Sequence, residues 1–72
     1  MHMDPRFEEA AKIVKRVSEN CASAYRRKDG KDYAVAEDQR LEDCAVACSN
    51  TGYFILSALG LSHKEIVDLE TE

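Results

Sequence analysis

From Cys44 to Leu61 the chain reads CAVACSNTGYFILSALGL, eighteen residues without a charge in a protein of 72 residues of which 33% are charged. A helix that faces a core on one side only shows an apolar stripe, whereas one that is apolar or small on nearly every side is enclosed by neighbours. A chain this short has few neighbours to offer, and folded alone it buries only about 60% of the surface its unfolded form exposes. The expected cover is a second copy of the chain or a different protein.

The residues before this stretch predict two helical segments. Asp4-Pro5 supplies an N-cap and a first-turn proline, and Phe7, Ala10, Val14, Val17, Cys21 and Ala24 recur at spacings of three and four, with Ala11, Ile13 and Tyr25 widening the stripe. Lys12, Lys15, Arg16 and Glu19 fall off it, toward solvent or a flanking partner. Arg26-Arg27-Lys28 sets cations against the carbonyl end, and Asp29-Gly30 provides turn chemistry, so the first helix is predicted over 4–29. A second is predicted over 32–59, capped by Asp32, with Ala34, Leu41, Cys44, Ala45, Cys48, Ile55, Leu56 and Leu59 inward. Ser49-Asn50-Thr51-Gly52 is its weak point; if the helix continues through it, Gly52 lets a neighbouring helix approach closely. The third helix, 62–71, has a capping box in Ser62 and Glu65, a staple in Leu61 and Ile66, and Gly60 to end the helix before it.

These elements make an all-α fold, one domain over 1–72: a long antiparallel helical hairpin plus a short C-terminal helix. Met1-His2-Met3 reads as an appended leader and takes no part. A hairpin turning at Gly30 would set Lys15 and Arg16 level with Cys44 and Ala45, beside Glu42 and Asp43, and Cys21 level with residue 39. Two hairpins pairing into a dimeric four-helix-type bundle would cover the uncharged segment. The expected association surface is Tyr53, Phe54, Ile55, Leu56 and Leu59, with Tyr25 and Tyr33 as a secondary contact.

Charge and chemistry narrow the function classes. The net charge of −4 divides into about +2 over the first half of the chain and −6 over the second, which suits segments that pack together better than a polyanion-binding surface. No Ser, His and acid trio, phosphate loop or paired apolar carboxylates can be read, so a non-enzymatic module without cofactor is expected. Its partners would be itself, as a homodimer, and another protein of unspecified identity, with no role for a membrane; a small nucleic-acid-binding hairpin regulator is the less favoured alternative. Three cysteines and no long apolar leader make a cytoplasmic protein with reduced thiols the default.

Those cysteines carry the rival reading. Cys44 and Cys48 stand one helical turn apart and, with Cys21, could hold a soft metal as thiolates; otherwise they pack as small hydrophobes. The run Asp43 to Cys48, DCAVAC, resembles the cysteine-studded helices of four-helix copper-binding proteins, a resemblance that implies thiolate metal binding in a bundle. That family carries cysteines along several helices, whereas Tyr53, Phe54, Ile55 and Leu56 fill the later positions here. A Cys21 disulfide to either partner would need a symmetric mate or a different register. The segment ALGLSHKEIVDLE resembles the middle of a helix-turn-helix, yet its second helix would offer phosphate only Lys64 against four acids. The basic residues of the first segment could form a strip resembling that of small hairpin RNA-binding regulators, without the aromatic residues that stack bases.

Overall fold

A computed structural model of the chain describes residues 4–71, and the Met1-His2-Met3 leader lies outside them. Three helices in order, α1 (Pro5–Arg26), α2 (Gln39–Ala58) and α3 (His63–Asp68), are joined by a minimal β-hairpin, β1 (Arg27–Lys28) with β2 (Lys31–Asp32), between α1 and α2. The all-α expectation holds, and α1 and α2 pack along each other as its principal contact.

α1 starts where the sequence places it. The Asp4 carboxylate accepts from the Arg6 amide at 2.8 Å and from the Arg6 guanidinium, and these bonds hold its pKa below the ordinary value. Its end differs. α1 stops at Arg26 instead of reaching residue 29, because Arg27 turns to extended backbone and Asp29 and Gly30 both take positive φ, 53° and 75°. Two consecutive residues at positive φ make a tight hairpin turn that matches the twist of flanking strands. Arg27 therefore pairs with Asp32 and Lys28 with Lys31.

That hairpin moves the start of the second helix by seven residues. Asp32 is no cap: it sits in β2, where its carboxylate accepts from Arg27 Nε at 2.9 Å and from Ser23. Ala34, expected inside α2, lies in the exposed connection that follows. The helix begins only at the next available cap, Asp38, whose side chain accepts from the Leu41 amide at 2.9 Å. From there it runs unbroken through Ser49-Asn50-Thr51-Gly52, spanning about 30 Å instead of about 40 Å.

The later start resets the register. Instead of Cys44 and Ala45 lying beside Lys15 and Arg16, Cys48 lies beside Cys21, Gly52 beside Ser18, and Glu42 beside Arg26. Gly52 is buried, and a methyl group there would meet Ser18 Cβ at 2.5 Å. Its bare backbone is what lets α1 come so close, as do the buried Ala11, Ala22 and Ala45.

α2 ends on a left-handed Gly60 at φ 94°, with the Leu61 amide donating to Leu56 O and the Gly60 amide to Ser57 O. This double closure brings Leu61 back onto Leu56, the apolar contact that usually accompanies it. Ser62 and Glu65 then form the expected capping box, Glu65 N to Ser62 Oγ at 3.1 Å and Ser62 N to Glu65 Oε1 at 2.9 Å. α3 is shorter than expected, ending at Asp68. Its Ile66 joins Ala11, Leu56 and Leu61 in the core, with Val14 and Leu69 alongside.

Candidate functional site: an open apolar groove between two helices

α3 covers only one side of the α1–α2 pair. On the other side a groove of about 530 Å³ runs between the helices, and no residue of α3 lines it. Ile13, Val17 and Tyr25 form one wall; Ala47, Thr51 and Ile55 form the other; Cys21, Cys44 and Cys48 lie along its length. No charged side chain lines it. Val17 is 58% exposed and Ile55 44%, although both stand at stripe positions that bury side chains in a closed bundle.

The protomer's own core is correspondingly slight. Of the six buried hydrophobic residues three are alanines, and Leu56 is the one large side chain buried almost completely among the described residues. Each large side chain enclosed contributes roughly 1.5–3 kcal/mol, and the chain by itself gains only part of this from Ile13, Val17 and Ile55, which stay 41%, 58% and 44% exposed.

The five residues expected to form the association surface are spread around α2. Ile55 lines the groove, and Phe54, 73% exposed, stands on the adjoining strip one turn after Thr51. Leu56 is enclosed by its own protomer at 1% exposure, and Leu59 is the C-cap residue of α2. Tyr53, about 200° around the helix from Ile55, faces α3, its hydroxyl 3.1 Å from His63 Nδ1 and its ring centroid 5.8 Å from the imidazole's. Of the secondary pair, Tyr25 lines the groove and Tyr33 lies exposed in the connection. Sequence reasoning missed the contribution of Ile13 and Val17; the signal was present in the width of the first stripe, too broad for one neighbouring helix.

The cysteines do not stand as three reduced thiols. Cys21 and Cys48 are joined as a disulfide between α1 and α2, with Cα atoms 5.8 Å apart, and Cys44 is free and exposed. The changed register makes the bond possible, since Cys21 is level with residue 48 instead of 39. Among the described residues no group of three or more His, Cys, Asp or Glu is arranged to hold a metal ion, and in this state Cys44 is the one candidate thiolate.

Two polar clamps brace the groove from outside it. At the hairpin end, Arg26 donates through two nitrogens to both oxygens of Glu42, Nε to Oε1 at 2.9 Å, and the Ala36 amide adds a bond of 2.8 Å to Oε1. Arg26 and then Ala36 hold the Glu42 pKa down, from its ordinary value near 4.5 to about 2. Glu42, expected beside Lys15 and Arg16, pairs with Arg26 instead and is 19% exposed. At the other end Lys15, expected toward solvent or a flanking partner, donates from Nζ to the carbonyls of Ile66, Val67 and Leu69 at 2.7–3.0 Å, which satisfies the open C-terminal carbonyls of α3 with a cation.

No protein-family model matches the chain, and neither a curated protein nor a solved structure is significantly similar to it. No helix among the described residues is long and apolar enough to cross a membrane.

Proposed function

We propose that the chain is a non-enzymatic interaction module that acts as a homodimer, two copies closing groove against groove into a four-helix core, and that this dimer serves as a cytoplasmic regulatory or adaptor protein. The observation that carries the reading is the groove itself: an uncharged face, built from both long helices, on a protomer with one large fully buried side chain. A stable interface covers about 800 Å² on each partner. A second copy has a helix pair of the same length as the groove and can lie along both of its walls at once.

Symmetry suits the same occupant. A two-fold axis parallel to the helices lays α1 of each copy over α2 of the other, one uncharged groove against the other. Ile13, Val17 and Ile55 then become core residues, while the exposed Phe54 lies at the rim, available to the protein the dimer recognises.

Val17→Asp and Ile55→Asp test this by sedimentation over a range of concentrations. Each places a charge where the closed dimer excludes water, so each is expected to shift a dimer to monomer, with loss of helicity. A wild-type chain that sediments as a monomer at every concentration, or variants with unchanged mass and helicity, would contradict the reading.

A further inference from the structure

We propose that the Cys21–Cys48 disulfide is a thiol-exchange site through which an external dithiol controls self-association of the chain. The inference rests on the groove being the face that a second copy covers. The bond crosses from α1 to α2 within the groove, and the two cysteines are 27 residues apart in sequence. In the separate protomer Cys21 is exposed and Cys48 half-buried, so a thiolate arriving from solvent while the copies are apart reaches Cys21 first.

The exchange balances without a further oxidant. A thiolate of the external dithiol attacks Cys21 Sγ, a new S–S bond forms between them, and Cys48 leaves as a thiolate that takes up a proton. The second thiol of the dithiol, once deprotonated, attacks its own sulfur in the mixed disulfide. That closes the dithiol's own disulfide and releases Cys21 as a thiolate, which is protonated in turn. Two electrons pass from the dithiol to the Cys21–Cys48 pair.

The association face depends on that bond because it is assembled from two helices. Ile13 and Val17 on one wall and Ile55 on the other form a single surface only while α1 and α2 keep their register. Apart from the disulfide, that register rests on close alanine and glycine contacts, Leu56 and two polar clamps. Cross-linking residues 27 apart removes conformational freedom from the open chain. Reduction restores that freedom, lowers the fraction of protomers holding a complete face, and weakens the apparent dimer affinity by the square of that fraction, since both copies must hold the face. In a reducing cytoplasm an accessible disulfide is typically of the redox-responsive kind, which fits the proposed location.

Sedimentation equilibrium of the wild-type chain, oxidised and then reduced with dithiothreitol, tests the proposal. Thiol alkylation and mass spectrometry count the free cysteines in each state and confirm that no interchain bond through Cys44 holds the dimer. The expected result is one alkylated cysteine and a dimer when oxidised, then three alkylated cysteines and a dimer weaker by about tenfold or more when reduced, reversed on reoxidation. A dimer whose affinity is unchanged or tightened by reduction, or a folded chain that keeps one alkylated cysteine in excess dithiothreitol, overturns the redox inference and leaves the association reading standing. A monomer in both states overturns the association reading and takes the inference with it.

Discussion

Arg26 and Glu42 join the last turn of α1 to the first turn of α2 by two parallel hydrogen bonds, and the same carboxylate holds the Ala36 amide of the connection between them. One side chain thus fixes both ends of a twelve-residue reversal, from residue 27 to residue 38. Its depressed pKa has a definite consequence for acid stability. A carboxyl whose folded pKa lies below its unfolded value contributes stability above the unfolded value and loses it as pH falls through the folded one. For Glu42 that window runs from near 4.5 down to about 2. Urea midpoints for the wild-type chain and Glu42→Gln should differ clearly at pH 6 and converge toward pH 2. A difference that stays constant over that range would contradict the assignment.

Lys15 reaches from α1 to bond the open carbonyls at the end of α3. Lys15→Met keeps much of the apolar stem and removes the donors. Hydrogen bonds from a charged group contribute roughly 1.5–3 kcal/mol when partly shielded, and exposure of Val67 O lowers that here, so a loss of about 1–2 kcal/mol is expected. Amide exchange should quicken first in α3, before the amides at the α1–α2 seam. Uniform quickening along the chain would show that α3 does not depend on this clamp.

Gly52→Ala sets two effects against each other. Alanine favours a helix interior over glycine by about 1 kcal/mol, but its methyl would meet Ser18 Cβ at 2.5 Å across the seam. Overpacking of this kind typically costs 1–3 kcal/mol, and both atoms belong to short side chains on facing helices with little room to yield. The net result expected is a lower urea midpoint. A raised midpoint would mean that the seam is looser than described.

Local chemistry was legible in the sequence and long-range register was not. The Ser62–Glu65 box, the Gly60 closure and the Asp4 cap each involve residues within a few positions of one another, so type and spacing suffice to read them. Asp29-Gly30 is ambiguous at that range, since Gly30 serves equally as a helix cap and as half of a hairpin turn. The choice moved every contact downstream. Asp32 and Asp38 are equally good caps in isolation, and only pairing of Asp32 with Arg27 across the hairpin decides between them. The assumed register displaced Cys21 from Cys48 and set Lys15 beside Glu42 and Asp43 instead of the end of α3. The apolar face was legible as an excess of hydrophobic surface, but its position was not: the run Tyr53 to Leu59 drew attention to α2 alone, while half of the groove belongs to α1.

The central claim is that a second copy lies against Ile13, Val17 and Ile55. A mixture of isotope-labelled and unlabelled chains, with nuclear Overhauser effects filtered to cross between copies, tests it most directly. The account predicts intermolecular effects at the methyl groups of those three residues and none at Leu56, which its own protomer encloses. Methyl signals from Ile13, Val17 and Ile55 that show no intermolecular effect and are broadened by a soluble paramagnetic agent would contradict it.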